Sequence, residues 1–195
     1  KLFSYDKFEE MMLSCLKSMN CEFSNLAIVI LPYIAHWSLI EHTSFTPDIL
    51  DKFEMNHDKF QKLKMDFSKI LFFKRIEHYQ GEEERYTFAH PIFTEFWAAR
   101  HLIELAKAVP LSPDGYVKTD SENMKLFYKH ILEATAQPRY HQIFEYIIKE
   151  EKFPPAVLKY LEVQLPIPFA KFKSNNLPSY QDWIRIEKST SPQSF

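Results

Sequence analysis

The chain has 195 residues, of which 46% are hydrophobic and 16% aromatic, enough to bury one good core or two small ones. Its 24 basic and 26 acidic residues leave a net charge of -2, which gives no electrostatic footprint for binding a nucleic-acid backbone. Two glycines cannot build a phosphate-cradling loop, a dinucleotide fingerprint or a nucleophile elbow, so an enzyme acting alone is the least expected class.

Cysteines and apolar runs indicate the compartment. Cys15 and Cys21 are the only cysteines, too few for a disulfide framework and not at a metal-site spacing, which predicts free thiols and a cytoplasmic location. The longest apolar run starts at Leu26, contains a proline and is about half as long as a membrane-spanning helix, so no membrane span is expected. The chain has neither an initiating methionine nor a signal peptide, and we expect it to be a piece of a longer polypeptide.

The first quarter of the chain reads as a series of helices. Residues 5–19, YDKFEEMMLSCLKSM, carry apolar side chains at spacings of three and four, which predicts an amphipathic helix. Ser24 or Asn25 is predicted to cap a nearly all-apolar helix over residues 26–40, kinked or restarted at Pro32. Thr46 and Pro47 are a typical start for the next helix.

A β-hairpin is predicted to follow a third helix over roughly residues 57–70. The segment FFKRIEHYQGEEERYTFAH has two β-prone runs, with Gly81 in the turn between them. In the second run, Tyr86 and Phe88 alternate with Thr87 and Ala89, which places Tyr86 and Phe88 on one face of the strand and Thr87 and Ala89 on the other. Short helices followed by a hairpin are the order of a winged helix, and the helix that begins at Pro91 then leaves it.

Everything after Val109 is predicted to be loop or helix. VPLSPDGYVKTD is the best candidate boundary between two subdomains, and Thr119 and Glu122 stand at capping-box spacing before the next helix. Two more helices should follow Pro138 and Pro154, and a weaker one should cover residues 179–187. The helix after Pro138 carries one apolar stripe, formed by Tyr140, Ile143, Phe144, Ile147 and Ile148. The predicted fold class is mainly α: a winged helix over residues 25–109, followed by an irregular helical domain over residues 110–195.

His90 is the candidate site residue, because it lies at the junction of a strand and an apolar helix. A residue before proline is pushed out of the α region, so His90 should be extended and should occupy the N-cap of the helix that Pro91 begins. The first turn of a helix has unpaired N–H groups and the positive end of the dipole, which favours an anion such as a phosphate. The simpler interpretation is that His90 only caps the helix and packs against the hairpin.

The segment YTFAHPIFTEFWAARHL resembles the signature that closes the winged-helix domain of NACHT-family proteins, the NOD-like receptors. The matching positions are Tyr86, Phe88, His90, Phe93, Glu95, Phe96, Ala98 and Ala99. The order of the helices before it is also similar, so that residues 1–24 look like the last helix of the family's first helical domain. Residues 110–195 would then be its second helical domain.

The resemblance implies a non-catalytic regulatory part of a nucleotide-switched receptor in innate immune or cell-death signalling. In the family this histidine reaches the terminal phosphate of ADP, which would assign His90 to cofactor binding and to an autoinhibited state. ADP or ATP would be held mainly by a nucleotide-binding domain upstream of this chain, since no GxxxxGK[ST] loop is present here. The expected partners are that domain and, in the active oligomer, neighbouring copies.

Two other functions remain open: a helical adaptor for protein–protein interaction, and a winged-helix DNA-binding module. The DNA-binding alternative needs a basic surface, and GEEER at the predicted hairpin tip would repel DNA. No catalytic residue is predicted. His36, His42, His57 and His78 lack HxH or HExxH spacing, so no metal site is predicted either.

Overall fold

The computed structural model describes residues 5–18, 21–41, 44–52, 68, 70, 72–76, 83–137, 140–150 and 152–165. In these ranges the fold is mainly helical with one small antiparallel sheet, which confirms the predicted fold class. In chain order the elements are α1 (Tyr5–Ser18), α2 (Cys21–Glu41), a 3-10 helix (Pro47–Lys52), β1 (Phe73–Ile76), β2 (Arg85–Phe88), α3 (Pro91–Lys107), α4 (Glu122–Thr135), α5 (Tyr140–Lys149) and α6 (Pro155–Gln164).

The second helix is longer at its start than the sequence predicts. The expected cap at Ser24 or Asn25 is wrong, since α2 already begins at Cys21, and it continues through Pro32 without a restart. A proline inside a helix costs about 3 kcal/mol. Burial of α2 offsets that cost, because its middle section lies in the core against α3 (Ile30, Leu31, Ile34 and Ala35 are buried).

The two strands of the hairpin form, and Tyr86 and Phe88 lie on the same face of the second strand, as predicted. The strands β1 and β2 pair antiparallel, with Phe73 opposite Phe88, and Tyr86 and Phe88 are both buried. Phe45 extends this sheet by exchanging backbone hydrogen bonds of 2.9 and 2.7 Å with Tyr86. The predicted turn at Gly81 and nearly all of the predicted third helix lie outside the described residues, so the winged-helix arrangement stays a prediction.

Helix α3 is the centre of the fold. It packs against α2, α4 and α5, and most of its side chains are buried, as the apolar sequence after Pro91 predicts. One hydrophobic core extends from Met12 in α1 to Leu161 in α6 and includes side chains on both sides of residue 110. The three-part domain division stays a prediction; its first boundary, 24/25, falls inside α2.

The helices after the loop agree with the predicted pattern except at one cap. The N-cap of α4 is Ser121, whose hydroxyl accepts from the Met124 N–H at 3.2 Å, so the capping box predicted at Thr119 is wrong. Ser121 stands immediately before Glu122, where a side-chain oxygen reaches the N–H groups of the first turn. The stripe predicted on α5 is confirmed, with Tyr140, Ile143, Phe144 and Ile147 buried. The predicted helix over residues 179–187 lies outside the described residues.

The loop after α3 is mostly exposed and should be cut first by proteases. Gly115 has a φ of 79°, in the left-handed region that favours glycine, and Tyr116 is 70% exposed. We therefore expect limited trypsin digestion to cleave first between Pro110 and Thr119, at Lys118. Mass spectrometry of the early fragments measures this, and first cleavage within residues 26–105 would contradict the domain division.

Candidate functional site

His90 occupies the N-cap of α3, as predicted. Its backbone is extended, with φ -149° and ψ 142°, and its Nδ1 accepts a hydrogen bond of 3.2 Å from the Ile92 N–H. The junction is fixed to the hairpin by the Ala89 N–H, which donates to the Phe72 carbonyl at 2.8 Å. The side chain of His90 is exposed, and its ring meets the Phe93 ring edge-on at 6.2 Å between centroids.

The first turn of α3 offers fewer open backbone donors than the sequence suggests. Pro91 has no N–H, the Ile92 N–H is paired with the His90 ring, and the Phe93 N–H donates to the His90 carbonyl at 3.0 Å. An accepting Nδ1 belongs to the tautomer that carries its proton on Nε2. The donor that this helix start presents to an anion is therefore the Nε2–H of His90, beside the positive end of the helix dipole.

The apolar residues that follow His90 build the core and leave the ring at the surface. Phe96, Trp97 and Leu102 are at most 1% exposed, and Phe93 is partly buried. Glu95 is buried as well, at 2% exposure. These side chains belong to the core, so His90 stands at the start of a buried helix rather than on a loop.

A second cluster of polar groups lies where α2, α3 and α4 meet. It consists of His36, His101 and His130, and one ring nitrogen of each lies within 4.8 Å of the others. His101 Nε2 is 2.9 Å from His130 Nδ1. The rings are stacked, with centroids 4.4 Å apart for His36 and His130 and 4.9 Å for His36 and His101. We call these three residues the histidine cluster.

Burial keeps the histidine cluster neutral. Burial, together with the nearby His130, lowers the pKa of His36 to about 3. Burial also lowers the pKa of His101 to about 3, together with the charges that His36 and His130 would carry. Burial lowers the pKa of His130 as well, although the carboxylate of Glu133 opposes the effect. At neutral pH all three rings therefore lack the extra proton, which is the form that binds metal ions.

The sequence predicts no metal site, because His36 has no second histidine at HxH or HExxH spacing. The three rings come from three helices that are far apart in sequence, and no local spacing shows that they meet. A weaker signal is that His36 is the polar residue near the end of an otherwise apolar run, LAIVILPYIAHW, and a buried polar residue needs a partner in the core.

An open pocket of about 440 Å³ lies on another side of α3. Its lining is strongly charged, and at its centre the Arg100 guanidinium pairs with Glu9 of α1 and, at 3.0 Å, with Glu150 at the end of α5. Neither His90 nor the histidine cluster lines it. The balance of acidic and basic groups gives it no clear preference for a ligand charge.

No family model, curated protein or solved structure matches this chain. Among the described residues, no helix is both long enough and apolar enough to cross a membrane.

Proposed function

We propose that this chain is a non-catalytic regulatory part of a NACHT-type, nucleotide-switched receptor. In this proposal His90 contacts the terminal phosphate of ADP held by a nucleotide-binding domain elsewhere in the same protein, in the cytoplasm. That contact holds the receptor in its autoinhibited state, and its loss allows neighbouring copies to assemble. The resemblance of residues 86–99 to the family signature is the reason for naming ADP as the ligand.

The observation that carries the proposal is the exposed His90 ring on a rigid helix start. Its Nδ1 is engaged with the Ile92 N–H, which fixes the ring, and no partner of Nε2 lies in the part of the chain that the structure describes. A donor of this kind, beside a helix N-terminus, suits a phosphate oxygen. A coupling free energy of about 1 to 3 kcal/mol is typical between linked sites and is enough to shift a two-state receptor.

Replacing His90 separates its capping role from the proposed clamp. His90→Ala removes both, so we expect the isolated chain to lose about 1 kcal/mol of unfolding free energy and the full-length receptor to release ADP faster. His90→Asn keeps a good N-cap acceptor and lacks the reach of the imidazole. We therefore expect it to leave the stability of the isolated chain unchanged while still speeding ADP release and raising basal oligomerisation.

The measurements are urea unfolding of the isolated chain, release of labelled ADP and size-exclusion chromatography of the full-length protein. His141→Gln, a histidine substitution on α5, is the control and should change none of the three. If His90→Asn releases ADP at the wild-type rate, the clamp is excluded and His90 is only a cap.

The DNA-binding alternative has less support. Lys74 and Arg75 of β1 are exposed, but the Arg75 guanidinium lies 2.7 Å from a Glu84 oxygen, and Glu83 beside it is also exposed. Acidic groups next to these cations oppose a phosphate backbone.

The adaptor alternative is favoured by one observation. Ile28 and Val29 of α2 are 42% and 55% exposed, and Met11 of α1 is 43% exposed. Exposed apolar side chains of this size are found at sites of protein–protein contact, but single ones are also common on any surface. The adaptor function therefore ranks second.

A further inference from the structure

We propose that the histidine cluster, His36, His101 and His130, is a binding site for one divalent transition-metal ion, with zinc as the ion that fits best. This proposal does not depend on the function proposed above, since the cluster lies between α2, α3 and α4 and includes no residue of the His90 site. It rests on the positions of the ring nitrogens and on an unsatisfied nitrogen of His36.

The distances allow the three nitrogens to share one ion. The ligand nitrogens lie within 4.8 Å of one another, and the pair from His101 and His130 is 2.9 Å apart. Zinc binds imidazole nitrogen at about 2.0–2.1 Å, so two nitrogens of one tetrahedral site are about 3.3 Å apart. The rings are stacked, so binding one ion requires them to turn until their in-plane lone pairs meet at a single point, and the broad terminal torsion of histidine allows such a rotation. After such rotations the metal ion would lie between the His101 and His130 nitrogens, in place of their direct contact.

His36 supplies an independent observation. Its side chain is only 5% exposed, and its Nδ1 is buried without a hydrogen-bond partner among the described residues. A buried polar atom left without a partner destabilises the folded state, and a metal ion in the cluster would remove that cost if Nδ1 turned toward it. The other ring nitrogen, Nε2, lies 3.3 Å from Glu133 Oε2.

The contact between His36 and Glu133 resembles the usual support of a metal-binding histidine. Such a histidine commonly donates its second ring N–H to a carboxylate, which fixes the orientation of the ring and raises the basicity of the ligating nitrogen. Glu133 is partly exposed and follows His130 by less than one helical turn on α4. It can orient His36, while water supplies the fourth ligand.

The donor set selects the class of ion. Three imidazoles suit zinc, copper, nickel or iron, whereas calcium and magnesium require oxygen ligands. A tetrahedral site with three histidines and one open position is an arrangement that proteins use for zinc.

The ion would connect three helices that carry the centre of the core. His36 lies on α2, His101 on α3 and His130 on α4, and the ring of Tyr33 meets the His101 ring edge-on at 6.0 Å. Because the ligands converge only in the folded chain, binding would stabilise the folded state in proportion to the logarithm of the free zinc concentration.

The test is a calorimetric titration of the tag-free, chelator-stripped chain with zinc chloride at pH 7. We expect one equivalent of zinc to bind with a dissociation constant at or below about 1 µM, and the unfolding temperature to rise when zinc is added. Cobalt(II) is the spectroscopic probe, and we expect the strong visible absorption of a four-coordinate cobalt complex at one equivalent.

Single substitutions assign the ligands. His101→Phe keeps an aromatic ring beside Tyr33, and His130→Gln changes a partly exposed position, so both should fold; each should weaken zinc binding by about a hundredfold or more and abolish the cobalt absorption. Glu133→Gln should weaken binding by about tenfold, as loss of a carboxylate that orients a ligand does. His141→Gln, outside the cluster, should bind one equivalent like the wild type.

The proposal is overturned if the folded, stripped wild-type chain binds no zinc. It is also overturned if His130→Gln, shown to be folded by circular dichroism and urea unfolding, binds zinc as tightly as the wild type. If His101→Phe does not fold, His130→Gln decides the matter alone.

Discussion

Replacing Phe96 with alanine should lower the free energy of unfolding by about 3 to 5 kcal/mol. Phe96 is fully buried in α3, and its ring meets Trp97 at 5.1 Å and Tyr146 of α5 at 5.6 Å, both edge-on. The Arg100 guanidinium lies 5.8 Å from the same ring. Alanine would leave a cavity between two helices that the dense packing around it cannot close.

Urea unfolding of the isolated chain measures this loss. Leu126→Ala is the matched control, because Leu126 lies on a helix but is 44% exposed, and it should change the stability by less than about 0.5 kcal/mol. A loss below about 1 kcal/mol for Phe96→Ala would show that this face does not hold the core together.

Acid should destabilise the metal-free chain through the histidine cluster. The folded-state pKa of His36 and of His101 is about 3, whereas an unfolded histidine titrates near 6.5. Above pH 6.5 neither state binds the proton, and the full stability is present. As the pH falls from 6.5 toward 3, only the unfolded state becomes protonated, so stability is lost by up to about 1.4 kcal/mol per pH unit for each histidine.

By pH 5 the two histidines together should cost up to about 4 kcal/mol, a large part of the stability of a typical domain. Urea unfolding in the presence of a chelator at pH 7, 6 and 5 measures the slope. His101→Phe should roughly halve it. Glu133, which faces His36 and raises the pKa of His130, reduces the effect at that third ring. A stability that does not change between pH 7 and pH 5 would contradict the neutral, buried state of the cluster.

Local sequence signals predicted the elements of the fold well where the signal lies within one helix or strand. The helix start at Pro91, the alternation of Tyr86 and Phe88 and the stripe on α5 all follow from backbone restrictions or periodicity, and all are present. The start of α2 was missed because the packing of its middle section outweighs the preference of Ser24 and Asn25 for a cap.

Of the two candidate sites, one follows from a local sequence signal and the other depends on tertiary packing. The position of His90 follows from its proline neighbour, and the structure agrees down to the capping hydrogen bond. The histidine cluster depends on how α2, α3 and α4 cross, and helix crossing is determined by tertiary packing. Nothing in the spacing of His36, His101 and His130 encodes that geometry, so only a three-dimensional structure brings them together.

The central place of α3 has a consequence for synthesis of the chain on the ribosome. The buried face of α2 packs mainly against α3, yet α2 ends at Glu41 and α3 begins only at Pro91. At a translation rate of about 5 to 20 residues per second, roughly 3 to 10 seconds separate the two helices. During that delay the apolar face of α2 lacks its main packing partner, α3, and is a natural target for a chaperone that binds nascent chains.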